Sequence, residues 1–367
     1  MPRAAIAELV RAELRALRIP GCSLAAVERG GRVWSAGFGS ADLLSGRPAA
    51  PETVYHLFSI TKLVTATAIL QLAEAGKLAL DDPVTTHLPE FTALANVTLK
   101  HLLSHRSGLK DTLGGFLAVH FADERPPSTA EALARYRIAV LRPPGRKVEY
   151  RNVNYALLGE VVSRVSGLPF APYVRAHVLA PLGMALAFSA AAWPQSVAAT
   201  GYMAAWEPAR FFFRLRFPAT ARRLFGARLG GLVELRPYDV DTAAIGGLVG
   251  PVTGFLPFLS AQLAGGSGIL GPSSTALMQA LQARGRAGVE AKLGVGLGWK
   301  LGEASGRPFL NHEGGGAGFT AEARIYPREG LGIVIAMNRL VGTRSCSMAH
   351  RLCEAICEAR SRLLGDG

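Results

Sequence analysis

Apolar positions along the chain predict a sheet built from both ends, with helices in between. The first twenty residues repeat apolar side chains at helical spacing as far as Pro20, which predicts an amphipathic helix. Alternating or continuous apolar runs predict five strands, over 22–27, 32–38, 309–312, 321–326 and 332–338. A last helix is predicted over roughly 345–364. This order of elements indicates an α+β fold with an antiparallel sheet.

The middle of the chain is predicted to be helical. Residues 63–73 carry apolar side chains on every side and no Gly or Pro, which predicts a buried helix that begins at Ser59 and is capped near Gly76. Further helices are predicted over 126–139 and 155–165. The predicted division is an α/β lobe from 1–57 and 288–367, a mostly helical lobe from 58–287, and an atypical insert at 206–236 within the second lobe.

Composition and charge narrow the class of protein. Of the 367 residues, 49% are hydrophobic and 18% are charged, which is typical of a globular chain. The net charge of +13 is spread over scattered arginines, and no dense basic run or known motif indicates a nucleic-acid partner. The first twenty residues lack the apolar core of a signal peptide, so we expect a cytoplasmic location.

The cysteines are expected to be structural. Cys346, Cys353 and Cys357 lie near His350 at helical spacing, and one straight helix cannot surround a tetrahedral metal with its own side chains. Core packing as reduced thiols is the preferred interpretation for these residues and for Cys22. We therefore expect no metal and no cofactor.

The insert mixes aromatic and arginine side chains over 206–228. Such a segment could make a weak contact with an anionic membrane surface, because aromatic side chains bind favourably in the interface and arginines are attracted to anionic lipids. It could also be a lid over an active site, or ordinary packing in which arginine stems lie along aromatic rings. The second and third interpretations are preferred.

Ser59 and Lys62 form an S-x-x-K pair at the start of the buried helix. Side chains at i and i+3 share a helix face, so the hydroxyl and the amine point into the same space. A desolvated lysine has a lowered pKa and can remove the proton of a serine nucleophile. Taken alone, a pair this short and frequent favours a helix cap beside a surface lysine, so the catalytic interpretation needs further motifs.

Two later motifs are candidate companions. Tyr150-x-Asn152 lies on a predicted loop before a helix, and His312-Glu313-Gly314-Gly315 ends a predicted strand. With S-x-x-K and in this order, they resemble the serine β-lactamase and penicillin-recognising hydrolase family, closest to its class C-like branch of esterases, D-aminopeptidases and carboxypeptidases. The resemblance covers nearly the whole chain and includes the stretches 101–109 and 294–299.

The resemblance implies a β-lactamase/transpeptidase-like fold and a role for each motif residue. Ser59 would be the nucleophile that forms an acyl-enzyme, with Lys62 and Tyr150 as its acid–base partners. Asn152 would orient Lys62 and the substrate, and His312 would take the place of the third-motif lysine. The backbone N–H groups of Ser59 and Gly315 would form the oxyanion hole, and Gly314 would let the substrate lie against the strand.

Departures from the β-lactamase pattern change the expected substrate. Arg151 replaces a serine, and His312 and Glu313 replace the lysine and threonine that grip a substrate carboxylate. A Glu313 side chain that faced the cleft would repel such a carboxylate, and a neutral His312 would attract it less. We therefore expect a carboxylesterase for neutral or hydrophobic acyl substrates.

Three other functions stay open from the sequence. The first is a peptidase or amidase for D-amino acid substrates, and the second is a weak β-lactamase of the same fold. The third is a non-catalytic member that binds a ligand or a membrane surface. The expected partner is a small ester or amide.

Overall fold

The computed structural model describes residues 2–110, 118–285 and 293–363. In this part of the chain the strands are β1 (Gly21–Glu28), β2 (Val33–Asp42), β3 (Arg47–Pro48), β4 (Val54–His56), β5 (Val119–His120), β6 (Gly201–Ala204), β7 (Phe225–Leu229), β8 (Leu232–Leu235), β9 (Asp239–Val240), β10 (Val249–Pro251), β11 (Ala283–Arg284), β12 (Gly294–Val295), β13 (Lys300–Ala304), β14 (Arg307–Gly316), β15 (Phe319–Tyr326) and β16 (Leu331–Met337).

The α-helices of the same residues are α1 (Pro2–Leu17), α2 (Thr61–Glu74), α3 (Val84–His87), α4 (Leu99–Leu103), α5 (Thr129–Leu133), α6 (Asn152–Ser166), α7 (Phe170–Val174), α8 (Pro208–Arg216), α9 (Pro218–Leu224), α10 (Ala243–Gly246), α11 (Leu256–Leu263), α12 (Pro272–Gln279) and α13 (Gly342–Leu363). None of these helices is both long and apolar enough to cross a lipid bilayer.

A nine-stranded antiparallel sheet, in the order β11-β12-β13-β14-β15-β16-β1-β2-β3, joins the two ends of the chain. Strands β15 and β16 are buried along their whole length, because helices cover both faces of the sheet. Helices α1 and α13 pack together over one face around Val10, Leu352 and Ile356. The other face packs against α11 and the helical part of the chain. The mixed α+β architecture follows from this layering.

Helix α2 is the central element of the helical part. Its residues from Thr61 to Leu70 are buried without exception, as the all-round apolar pattern predicts. A short 3₁₀ turn over Phe58–Ile60 leads into it. Ser59 therefore lies immediately before α2 and against the large sheet, since β14 packs against this turn.

Three predicted element bounds are wrong. The helix predicted over 126–139 is only α5, because the backbone of Lys110 bonds to Ala139 and holds the chain extended there. Helix α6 begins at Asn152, so this residue lies in a first helical turn and not on the predicted loop. Strand β14 runs on past His312 to Gly316, which keeps the whole third motif in the sheet.

Candidate active site

Ser59 and Lys62 lie in direct contact at the start of α2. The Nζ atom of Lys62 donates one hydrogen bond to Ser59 Oγ and another to the carbonyl oxygen of Ile245 in α10, each 2.8 Å long. Lys62 is fully buried, and Ser59 is 8% exposed. The i and i+3 positions bring the two side chains together, and the Ile245 carbonyl fixes the direction of the amine. The arrangement holds a dry amine against a serine hydroxyl.

The backbone before Ser59 is tightly confined. Phe58 has a φ of 47°, a conformation that costs energy for a residue with a side chain. Strand β14 lies so close that a Cβ on Gly314 would overlap the carbonyl oxygen of Leu57, and one on Gly316 would overlap the Phe58 ring. The absence of side chains at these two glycines therefore lets the third motif lie against the turn that carries Ser59.

The third motif also has a free backbone edge. Strand β13 pairs with β14 only from Arg307 to Asn311 among the described residues, so residues 312–316 have no strand on that side. On the other side Gly315 pairs in register with Thr320 of β15. Backbone N–H groups on an unpaired edge beside Ser59 are available to bind an oxyanion.

Tyr150 lies between two buried lysines. The Nζ atom of Lys62 is 5.2 Å from the centre of its ring, and the Nζ atom of Lys300 is 4.8 Å from it. The ring also lies against His105, with the two ring centres 4.5 Å apart, and 5.9 Å from the ring of His312. Lys62 and His312, from the first and third motifs, thus both lie within 5.9 Å of the ring centre of Tyr150, from the second motif.

Asn152 lies next to this group on the first turn of α6 and is 7% exposed. Helix α6 packs directly against α2, which carries Lys62. The Y-x-N spacing therefore puts the phenol and the amide at the junction of a strand-like segment and a buried helix. Arg151 between them is extended and precedes the helix.

Both imidazoles at Tyr150 are neutral. Burial lowers the pKa of His312 well below its usual value, and the nearby Lys300 and Lys62 lower it further. The same three causes, with Arg151, lower the pKa of His105. His312 Nδ1 lies 2.8 Å from the Glu313 carbonyl and donates to it, while His105 Nδ1 accepts from the Arg151 backbone. The motif histidine therefore brings no positive charge to the site.

Glu313 forms a buried ion pair with Lys300 of β13, and the two side chains are 10% and 7% exposed. Burial raises the pKa of Glu313, but Lys300 outweighs it and holds that pKa below the usual value. The carboxylate is therefore paired with this ammonium, and an ion-paired Glu313 repels a substrate carboxylate less than a free one would.

Lys300 is a site residue that the sequence analysis missed. It directly follows Trp299 in the stretch that resembles the family, but its place beside Tyr150 depends on the register in which Lys300 faces Asn311 across β13 and β14. No local pattern encodes such a register, and the sequence offered only a lysine directly after the uncharged stretch 293–299.

A narrow cavity of about 40 Å³ opens at Ser59. Its walls come from five separate parts of the chain and are almost entirely apolar, with Val119, Phe213, Tyr238, Val240, Ile245 and Ala317 among the lining residues. Phe213 belongs to α8, so the arginine-rich and aromatic insert supplies part of this wall. The cavity lining contains no charged side chain among the described residues.

The described residues contain no group of three or more His, Cys, Asp and Glu side chains arranged to hold a metal ion. The four cysteines are free thiols, and Cys22, Cys353 and Cys357 are buried. Burial raises the pKa of Cys357 to about 11, so its thiol is protonated and inert at neutral pH.

Comparisons with known proteins agree with this architecture. A penicillin-binding protein homologue from Pyrococcus abyssi superposes with a TM-score of 0.80 at 25% identity, over 100% of this chain and 78% of that one. The D-amino acid amidase of Ochrobactrum anthropi SV3 superposes with a TM-score of 0.82 over 98% of this chain and 100% of its own, at 22% identity, which supports the fold alone.

Sequence relatives match part of the chain. The putative penicillin-binding protein PbpX of Bacillus subtilis (strain 168) is 37% identical over 158 residues, which are 43% of this chain and 38% of that protein. Protein flp of Staphylococcus aureus (strain MW2) is 33% identical over 181 residues, 48% of this chain and 36% of that protein. The matched segment therefore spans less than half of these relatives.

The sequence model described as Beta-lactamase matches residues 6–354, which is nearly the whole chain. The fold likeness extends over the same length. The chain belongs to the beta-lactamase family of serine hydrolases.

Proposed function

We propose that the protein hydrolyses short-chain carboxylic esters through an acyl-enzyme on Ser59. The observation that carries this proposal is the hydrogen bond from the buried Lys62 amine to Ser59 Oγ, at the mouth of an uncharged cavity. An esterase needs an activated hydroxyl and an apolar place for the acyl chain, and both lie at this position.

The proposed reaction has two halves. In the first, the neutral Lys62 amine takes the Ser59 proton as Oγ bonds to the ester carbonyl carbon. The tetrahedral oxyanion is held by the N–H groups of Ser59 and Gly315, and it collapses as the alcohol leaves with the phenol proton of Tyr150, which the Lys62 ammonium then replaces. In the second, the Lys62–Tyr150 pair takes a proton from water as the water oxygen attacks the acyl carbonyl carbon, and it returns that proton to Ser59 Oγ as the acid leaves.

The cavity volume sets the expected chain length. About 10–15 Å³ of such volume holds one water-sized group. A cavity of about 40 Å³ therefore accepts about three heavy atoms beyond the carbonyl carbon. This size suits acetyl to butyryl groups, and longer acyl chains would have to displace Phe213 or remain outside.

The charges favour an ester over the related substrates. A β-lactam or a peptide with a C-terminal carboxylate needs an available cation, whereas His312 is neutral and the Lys300 charge is paired with Glu313. A D-amino acid amide carries an ammonium group that needs a carboxylate partner, and the described cavity lining offers none. A neutral acyl group has neither requirement.

The test compares p-nitrophenyl butyrate with the decanoate, a chromogenic cephalosporin and D-phenylalanine amide. We expect butyrate to be preferred, with kcat/KM reduced at least about 10³-fold in Ser59→Ala and about 10²–10⁴-fold in Tyr150→Phe. Ser45→Ala, on the exposed loop after β2, is the matched control and should leave kcat/KM unchanged.

Covalent labelling separates a catalyst from a binding protein. A fluorophosphonate probe should label Ser59, and mass spectrometry should locate the adduct there. Full esterase activity in Ser59→Ala, or no labelling of active protein at Ser59, would refute the mechanism. Turnover of D-phenylalanine amide without any ester turnover would mean that the substrates are D-amino acid amides and not esters.

A further inference from the structure

Helix α8 presents an unusual apolar surface to solvent. Phe211 and Leu215, one turn apart on the same face, are 72% and 76% exposed, and Trp206 just before the helix is 78% exposed. Phe213 lies on the opposite face and is buried in the cavity at Ser59. Large side chains exposed together in this way indicate an interaction surface.

Arginines flank this apolar face on both sides. At 3.6 residues per turn, Arg214 lies beside Phe211 and Arg216 lies beside Phe212 on the other flank. Both arginines are exposed. An exposed apolar stripe bordered by arginines is the pattern of a helix that lies in a membrane interface.

A second observation concerns the cavity between α8, α9 and β7. It measures about 370 Å³ and is lined by four arginines, Arg210, Arg214, Arg222 and Arg228. None of the four forms an ion pair with a carboxylate within the described ranges, whereas the neighbouring Arg223 pairs with both Asp123 and Glu124. Burial and the charges of Arg214 and Arg228 lower the pKa of Arg210. Four guanidinium groups whose charges are not paired with a carboxylate surround one cavity, an arrangement that favours binding of an anion.

We propose that this surface, the outer face of α8 with Trp206 and the arginine cavity behind it, docks on an anionic phospholipid bilayer. The apolar side chains would enter the interface while lipid phosphates occupy the arginine cavity. A soluble anion would explain the arginines but not the exposed Phe211 and Leu215. Single-stranded nucleic acid would need a groove with stacking platforms, whereas these side chains stand on a protruding helix.

Docking does not depend on the proposed esterase activity, so the two can fail separately. The measurement is co-sedimentation of the full chain with vesicles of phosphatidylcholine, with and without phosphatidylglycerol. We expect binding only to the anionic vesicles, and binding that weakens as salt is raised.

The arginine test uses matched triple variants. Arg214→Gln, Arg222→Gln and Arg228→Gln together should lower vesicle partitioning on the order of 100-fold, since each arginine at such a surface contributes about five-fold. The control triple, Arg32→Gln, Arg125→Gln and Arg284→Gln, removes the same charge from exposed positions elsewhere and should partition as the parent protein does.

The apolar contribution is tested with Phe211→Ser and Leu215→Ser together. This variant should bind anionic vesicles at least about ten-fold more weakly, because two large side chains no longer enter the interface. Circular dichroism and Tm should match the parent protein, since both side chains are already in water. Trp206→Phe should abolish the blue shift of fluorescence that docking produces.

Three results would overturn the proposal. The first is equal partitioning of the two triple variants, and the second is no binding of the parent protein to anionic vesicles. The third is that the parent protein binds inorganic pyrophosphate or single-stranded RNA tightly through the arginine cavity but does not bind vesicles. The last result would assign the same arginines to a soluble anion or to nucleic acid.

Discussion

Replacing Lys300 by methionine tests how much the buried Lys300–Glu313 pair contributes to folding and to Tyr150. The variant leaves the Glu313 carboxylate buried without its cation, a change that typically costs about 3–5 kcal/mol of unfolding free energy. In the parent protein Lys300 holds the pKa of Glu313 low, so this pair stabilises the fold at neutral pH and less as pH falls through that pKa. In the variant the contribution of Lys300 is lost, and burial, the largest cause, raises the pKa of Glu313 against the smaller effects of a backbone hydrogen bond and Arg324, so acidification should recover stability.

The catalytic effect follows from a distance. A unit charge 4.8 Å from the Tyr150 ring centre gives about 3.5 kcal/mol at an effective dielectric constant of 20. The Glu313 carboxylate is present in both proteins, so it does not change this difference, which corresponds to at most about 2.5 pH units. Losing the ammonium should therefore lower kcat by about ten-fold or more and move the acidic limb of the kcat/KM profile up by about 1–2.5 pH units.

The double variant Lys300→Met, Glu313→Gln separates the two effects. It removes both charges, so its stability in urea unfolding should lie within about 1–2 kcal/mol of the parent protein. The acidic limb of its kcat/KM profile should lie at a pH between those of the parent protein and Lys300→Met. Glu313→Gln alone leaves the ammonium uncompensated and should move this limb to lower pH. If all three variants keep the parent profile with p-nitrophenyl butyrate, Lys300 has no electrostatic effect on Tyr150.

Two further predictions concern the cavity and the buried histidines. Phe213→Ala should shift the ester preference to longer acyl chains, by about four-fold in kcat/KM per extra buried methylene. Phe212→Ala, on the exposed side of α8, should not change the preference. A chain-length series of p-nitrophenyl esters measures both variants. Burial lowers the pKa of His56 to about 4, and the pKa values of His105 and His312 are lowered too. The unfolded chain then binds protons that the folded chain excludes, so stability should fall between pH 7.5 and 5.5, by about 1.4 kcal/mol from His56 and further from His105 and His312. Urea unfolding at the two pH values checks this, and His56→Phe should reduce the loss by about 1.4 kcal/mol.

The parts of the site that sequence predicts are those fixed by short-range geometry. The contact between Ser59 and Lys62 follows from helical spacing alone, once the all-round apolar pattern places a buried helix after Ser59. The predicted strands of the sheet also follow from local apolar runs. The order of elements also predicts one sheet built from both ends of the chain, but it does not predict the nine strands or their order in the described residues.

Features that depend on strand register or on distant pairing could not be predicted. Lys300 reaches Tyr150 only because β13 and β14 pair at Asn311, and nothing within either strand specifies that partner. The helix predicted over 126–139 failed for the same reason, because the Ala139 backbone is used by Lys110. The walls of the cavity likewise come from segments up to about 260 residues apart in the sequence.

The insert shows how one helix can satisfy two of the alternatives that its composition left open. Phe211 and Phe213 are two positions apart, and helical periodicity turns them about 200° from each other. One side chain lines the cavity at Ser59 and the other faces solvent. The two proposed roles should therefore separate cleanly: Phe213→Ala should change ester chain length without changing vesicle binding, and Phe211→Ser with Leu215→Ser should do the reverse in detergent-free solution. A variant on either face that altered both properties equally would mean that α8 unfolds or moves as a unit, and the division of its faces would have to be abandoned.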